Sequence, residues 1–110
     1  MSTRANASYS DGEGHTIQAL LRERRDEILS SAYRHGARNV RVFGSAARGD
    51  SRANSDIDLL VDTSDETSPW FPAGLVEELE RLLGRHVDVV TEQGLHRLLR
   101  RRILKEAKPL

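Results

Sequence analysis

Along the chain, apolar positions recur at helical spacing and at strand spacing in turn. Ile17, Leu20, Leu21, Ile28 and Ala32 fall on one helical stripe, with Thr16 placed as N-cap and Gly36 as a C′ stop. Asn39–Phe43 (NVRVF) alternates and is β-branched, which predicts a strand; Asp56–Val61 (DIDLLV) and His86–Val90 (HVDVV) predict two more. Between the first two strands, Gly44–Ser55 is turn-rich, with room for one short helical turn. Residues 62–72 read as a polar loop carrying Pro69-Trp70-Phe71-Pro72. Leu75, Val76, Leu79, Leu82 and Leu83 then form an apolar helix face, with Glu77, Glu78, Glu80 and Arg81 outward and Gly84 as terminator. Leu95, Leu98, Leu99 and Ile103 mark a last helix running to about Ala107. Residues 1–14, rich in Ser, Thr, Asn and Gly, read as a flexible tail before a domain spanning 15–110. The order αβ(α)βαβα describes an α/β (α+β) domain with a small mixed sheet of about three strands flanked by helices.

Composition narrows the function classes. The 110 residues suffice for one domain, and 37% hydrophobic content supports a modest core. Absence of Cys excludes disulfides, thiolate metal sites and cysteine nucleophiles, and fits a reducing, cytoplasmic setting. No apolar run approaches the ~18 residues a membrane span needs, and the first 14 residues lack the apolar stretch of a signal peptide. The net charge of 0 conceals segregation. Residues 1–49 carry +3, residues 50–92 carry −8, and residues 93–110 carry +5. An acidic centre suits cations, and a basic end suits anionic or acidic partners.

Three features of that acidic centre and its border point to chemistry. Gly44-Ser45 directly follows the first strand, Asp56-x-Asp58 opens the second, and Asp88 interrupts the third between Val87 and Val89. Strand residues two apart share a face, so Asp56 and Asp58 project together with Cα atoms ~6.6 Å apart. Carboxylates this close repel unless a cation lies between them. Mg²⁺ or Mn²⁺ prefers such oxygen ligands, and two ions ~3.5–4 Å apart can be clamped by the pair. Asp88, unpaired in a buried central strand, would be costly to bury, so a cation partner is the natural reading. With the first two strands antiparallel and the third parallel to the second, all three features meet at one end of the sheet. Gly44 permits positive φ, and Ser45 with the following turn offers N–H groups and a hydroxyl to a phosphate. A phosphate cradle beside metal carboxylates means metal-assisted phosphoryl or nucleotidyl transfer.

The segments Gly44-Ser45-Ala46-Ala47-Arg48-Gly49-Asp50 and Ser55-Asp56-Ile57-Asp58-Leu59-Leu60-Val61 resemble the DNA polymerase β-like nucleotidyltransferase superfamily. Within it the pattern is most similar to the minimal nucleotidyltransferases, the antitoxin half of HEPN/MNT toxin–antitoxin pairs. The resemblance covers roughly residues 15–107. It implies the nucleotidyltransferase fold, with Asp56 and Asp58 holding two Mg²⁺ ions and Asp88 joining them at the ion that activates the attacking hydroxyl. Gly44 and Ser45 would bind the β/γ-phosphates of ATP. It further implies transfer of AMP to a tyrosine of a partner HEPN RNase toxin in a hetero-oligomer, with pyrophosphate released. Arg48 and Asp50 would support the loop.

Blander readings compete at several positions. The aspartates could form a solvated strand edge, and Gly44-Ser45 alone could be a simple turn. His86 shares the parity of Asp88 and reads as a partly buried edge residue; His15, His35 and His96 read as surface or helix-end residues. Trp70-Phe71 reads as a loop hydrophobe capping the core. Arg97, Arg100, Arg101, Arg102 and Lys105 fit a solvated face or contact with an acidic partner better than nucleic acid, for no aromatic residue is interleaved to stack bases. Two alternatives to protein adenylylation stand: an antitoxin that only masks its partner by binding, and nucleotidyl transfer to a small molecule or to RNA.

Overall fold

The computed structural model describes residues 13–49, 55–64, 67 and 70–110. Its elements in chain order are α1 (Glu13–Glu23), α2 (Arg25–Arg34), β1 (Ala37–Phe43), α3 (Ser45–Arg48), β2 (Ile57–Thr63), α4 (Ala73–Leu83), β3 (Val87–Thr91), α5 (Arg97–Glu106) and β4 (Lys108–Pro109). The tail expected over residues 1–14 lies, up to residue 12, outside the described residues.

The strands form one four-stranded mixed sheet in the order β3-β2-β1-β4. β1 pairs antiparallel with β2 and β4, and β2 pairs parallel with β3 across the helical connection α4. This is the arrangement the connection lengths predict: a turn-rich link for the antiparallel pair, a helix for the parallel crossover.

Ile57, Leu59 and Val61 of β2 are buried with Val40 and Val42 of β1 and Val87 and Val89 of β3. Against them pack Ile17 and Leu21 of α1, Ile28 and Ala32 of α2, and Leu75, Leu79 and Leu83 of α4. Each fully buried aliphatic side chain contributes about 1.5–3 kcal/mol of transfer free energy. Leu60 is also buried, on the opposite face and outside that cluster, so β2 is covered on both sides.

Four sequence expectations change. The single first helix is two, because the backbone at Arg24 (φ −101°, ψ 12°) interrupts the helical run and turns the apolar stripe. The first helix begins at Glu13, so Thr16 lies inside it and is not an N-cap. The sheet has a fourth strand: Lys108–Pro109 pairs with Arg41 and Val42, a two-residue strand whose proline leaves no alternation to read. β4 makes β1 interior beside β2, and β3 forms the opposite edge. Asp88 therefore does not sit in a buried central strand; it is exposed, and the burial falls on Asp58 instead.

Gly36 (φ 80°) closes α2 and Gly84 (φ 67°) closes α4, as expected of C′ glycines. β1 carries an irregularity between Arg38 and Arg41, where Asn39 takes φ 51° and its Nδ2 donates to Asp62 Oδ2 at 3.0 Å. Phe71 packs against the core, whereas Trp70 is 77% exposed, so only half of that pair caps the core. Among the described residues no helix is long and apolar enough to cross a membrane.

Candidate active site

The end of β1 delivers Phe43 opposite Asp58 of β2, and Asp58 in turn lies opposite Asp88 of β3. Three neighbouring strands thus bring Gly44, Asp58 and Asp88 to one end of the sheet. Asp56 lies just before β2 and is exposed.

Gly44 adopts φ 73° and ψ −152°, a region essentially confined to glycine. Space imposes the same choice: a Cβ at this position would collide with Asp58 Oδ2. The chain then turns at once into α3, where the N–H groups of Ala47 and Arg48 bond back to the Gly44 carbonyl at 3.1 Å each. The first N–H groups of such a turn have no intrahelical partner, so Ser45 and Ala46 supply donors beside the Ser45 hydroxyl. Gly49 ends the turn in the left-handed conformation (φ 80°). Asp50, the last residue of the motif, lies outside the described residues.

The electrostatics centre on Asp58. Burial, then the charges of Asp88, Asp56 and Glu106, push its carboxyl up to about 6, with Arg48 opposing. Negative charge is concentrated here beyond what the neighbouring cations neutralise. A hard divalent cation would relieve it, and carboxylate oxygens are the donors such a cation prefers. The residues present therefore fit Mg²⁺ in chemistry. Among the described residues, however, no three His, Asp or Glu side chains converge into a ready-made ligand set.

A cleft of about 360 Å³ opens at this point, lined by Gly44, Ser45 and Asp58 on one side and by Leu99, Arg102 and Glu106 of α5 on the other. Cavities of similar size occur elsewhere, for instance between α2 and α4, so volume does not single this one out. Its chemistry does. Asp56 and Asp88 are not among its lining and act on Asp58 from beside it.

Glu106 is the residue the sequence reading missed. Its Oε2 accepts from the Gly44 N–H at 2.8 Å, and its Oε1 pairs with Arg48 Nη1 at 3.0 Å. The Gly44 N–H foremost, with Arg48, holds its carboxyl below the usual carboxylate range. A signal existed, since Glu106 is the one acid among residues 93–110. His86 is remote from this role: it is exposed and pairs with Glu80, at 3.0 Å, rather than being partly buried. His96 caps α5, its Nδ1 accepting from the Leu98 N–H at 3.2 Å, and His35 closes α2, both helix-end positions as read from the sequence.

Comparison with known proteins identifies the family of the fold. The nucleotidyltransferase domain family matches residues 22–110. The chain is 36% identical over 90 residues to the protein adenylyltransferase MntA of Thermococcus cleftensis, covering 82% of this chain and 88% of that protein. It is 39% identical over 87 residues to MJ0435 of Methanocaldococcus jannaschii, assigned to the protein adenylyltransferases, covering 79% and 94% respectively. A solved structure assigned as a minimal nucleotidyltransferase superposes with a TM-score of 0.74 at 46% identity, covering 92% of this chain and 99% of that one. A chain in a crystal structure of a toxin–antitoxin with AMP-PNP shares the fold at a TM-score of 0.59 and 23% identity, covering 87% and 70%. The chain belongs to the nucleotidyltransferase domain family and is a nucleotidyltransferase of the minimal type.

Proposed function

We propose that this nucleotidyltransferase transfers AMP from ATP to a hydroxyl of a partner protein, and that it serves as the antitoxin of that partner. The observation that carries this reading is the meeting of the Gly44-Ser45 turn with Asp58 and Asp88 at adjacent strand ends. Relatives named protein adenylyltransferases support the reaction, and the shared fold of toxin–antitoxin chains supports the role. The acceptor would be a tyrosine of a HEPN RNase toxin.

In this reading Ser45 and the first N–H groups of α3 hold the β/γ-phosphates. The acceptor oxygen attacks the α-phosphorus in line, the bond to the β-phosphate oxygen breaks, and pyrophosphate leaves. Asp88, exposed beside Asp58, takes the hydroxyl proton. Asp56, Asp58 and Asp88 would hold one or two Mg²⁺ ions, which supply charge neutralisation for the phosphates when bound.

The partner would approach over α5, which borders the cleft. None of its ten residues is buried; Leu98 is 80% and Leu99 48% exposed, among Arg97, Arg100, Arg101, Arg102 and Lys105. Apolar side chains set among cations suit a protein surface with an apolar strip rimmed by carboxylates. They suit it better than RNA, whose bases need aromatic platforms.

Incubation with the protein encoded by its genomic neighbour, ATP and Mg²⁺, followed by intact mass, tests the whole reading. One or more added AMP units on the partner, absent with Asp56→Asn/Asp58→Asn, is the expected result. A tight complex with no mass change would establish neutralisation by masking instead.

A further inference from the structure

Gly44 holds a positive-φ conformation that glycine enters at little cost and leaves as easily, so its neighbours must select it. The helical turn it starts has four residues, far too few to be stable alone. Something must fix both, and the structure offers one group that touches each end. One Glu106 oxygen takes the Gly44 N–H at 2.8 Å and the other takes the Arg48 guanidinium at 3.0 Å. The carboxylate spans α3 from its N-cap to its last residue. Charge-assisted bonds of this kind are roughly twice as strong as neutral ones, and the side chain is only 19% exposed.

Glu106 is in turn anchored by β4. Val42 pairs antiparallel with Lys108, two residues before Gly44 and two after Glu106, so this pairing carries the end of α5 towards Gly44. The link closes a ring: β1 leads to Gly44, Gly44 to Glu106, Glu106 to β4, and β4 back to β1.

Resting on the nucleotide-site reading above, we propose that Glu106 is a positioning residue for nucleotidyl transfer, clamping the Gly44–Arg48 turn so that Ser45 and its neighbouring N–H groups face the nucleotide phosphates. Glu106 lines the same cleft from α5 and takes the Gly44 N–H for itself, so the donors it leaves to a phosphate are the Ser45 hydroxyl and the first N–H groups of α3. A competing role has the opposite sign: a Glu106 that merely occupied the phosphate donors would weaken nucleotide binding, and its removal would tighten it.

Calorimetric titration of AMP-PNP in Mg²⁺ buffer distinguishes the two, using the full chain and Glu106→Ala, Glu106→Gln, Arg48→Ala and Arg48→Ala/Glu106→Ala variants. The expected result is a Kd raised about tenfold or more in Glu106→Ala, as the loss of one charge-assisted contact pair would give. Glu106→Gln keeps an acceptor oxygen for Gly44 and falls between. The double variant binds no more weakly than the weaker single one, since both remove one clamp. With acceptor present, KM for ATP rises more than kcat falls. Affinity equal to or tighter than wild type in a variant that retains its circular dichroism overturns the proposal. Loss that merely tracks melting temperature, with no rescue by Gln, overturns it too. Should Glu106→Ala not fold, Glu106→Gln decides: a several-fold higher Kd at unchanged melting temperature supports positioning, and an unchanged Kd overturns it. A wild-type chain that binds no nucleotide refutes the nucleotide-site reading itself, an outcome distinct from wild-type binding left intact by Glu106→Ala.

Discussion

At the scale of single residues, Asp58 concentrates the strain of the site. It sits on an interior strand, half-buried, with Asp88 opposite and Asp56 and Glu106 near, and its carboxyl is pushed up to about 6 from 3.8. Because the folded value lies above the unfolded one, the folded chain binds this proton more tightly. The metal-free protein therefore loses stability as pH rises from about 4 through about 6, and keeps the reduced value above that. Asp58→Asn removes the penalty. In EDTA at pH 7.5 the variant should melt higher than wild type, with the difference vanishing near pH 4. Mg²⁺ with AMP-PNP should raise the wild-type melting temperature and leave the variant unmoved. A variant that melts lower in EDTA would show that Asp58 is held by contacts rather than strained by charge.

At the scale of elements, α2 and α4 are joined by one carboxylate. Glu78 of α4 accepts from His35 at 2.9 Å and from Arg34 at 2.5 Å, and these bonds, that of His35 first, hold its carboxyl down to about 2. Here the sign is reversed: the contribution is present above the unfolded value of 4.5 and is lost as pH falls toward 2. Glu78→Gln should cost about 1 kcal/mol near neutrality, the usual scale for a partly exposed pair, and nothing near pH 2. Chemical denaturation at the two pH values checks it. α5 differs from these helices in burying no residue. Substituting Leu98→Glu together with Arg101→Glu should weaken association with the partner, read by calorimetry. An undiminished affinity would place the partner elsewhere.

At the scale of the whole molecule, charge is divided between the −8 of residues 50–92 and the +5 of residues 93–110, and the fold sets parts of both against the same cleft. The acidic strand ends face the basic helix that carries Arg102 across it. A carboxylate-rimmed partner would be steered to α5 by this field, and such steering is screened by salt. The association rate with the partner should fall steeply from low to high salt, and the dissociation rate much less. Stopped-flow measurement checks this. A rate indifferent to salt would remove the charge argument for α5.

How much of this was legible in the sequence follows from the range of each interaction. Strand and helix positions, the closing glycines at 36 and 84, and the juxtaposition of Gly44-Ser45 with the aspartate strands are set by periodicity and connection length within tens of residues. Local propensity and the pleat of a strand suffice for them. The tertiary structure decided the rest. It put β3 at the edge of the sheet and β2 inside it, and so placed the burial on Asp58 rather than Asp88. It left α5 exposed despite an apolar stripe, because nothing among the described residues covers Leu98. It brought Glu106 to Gly44 across 62 positions, through a strand of only two residues. Periodicity describes which face of an element is apolar; which element meets that face, and which lone acid meets which backbone N–H, is fixed only when the chain closes on itself.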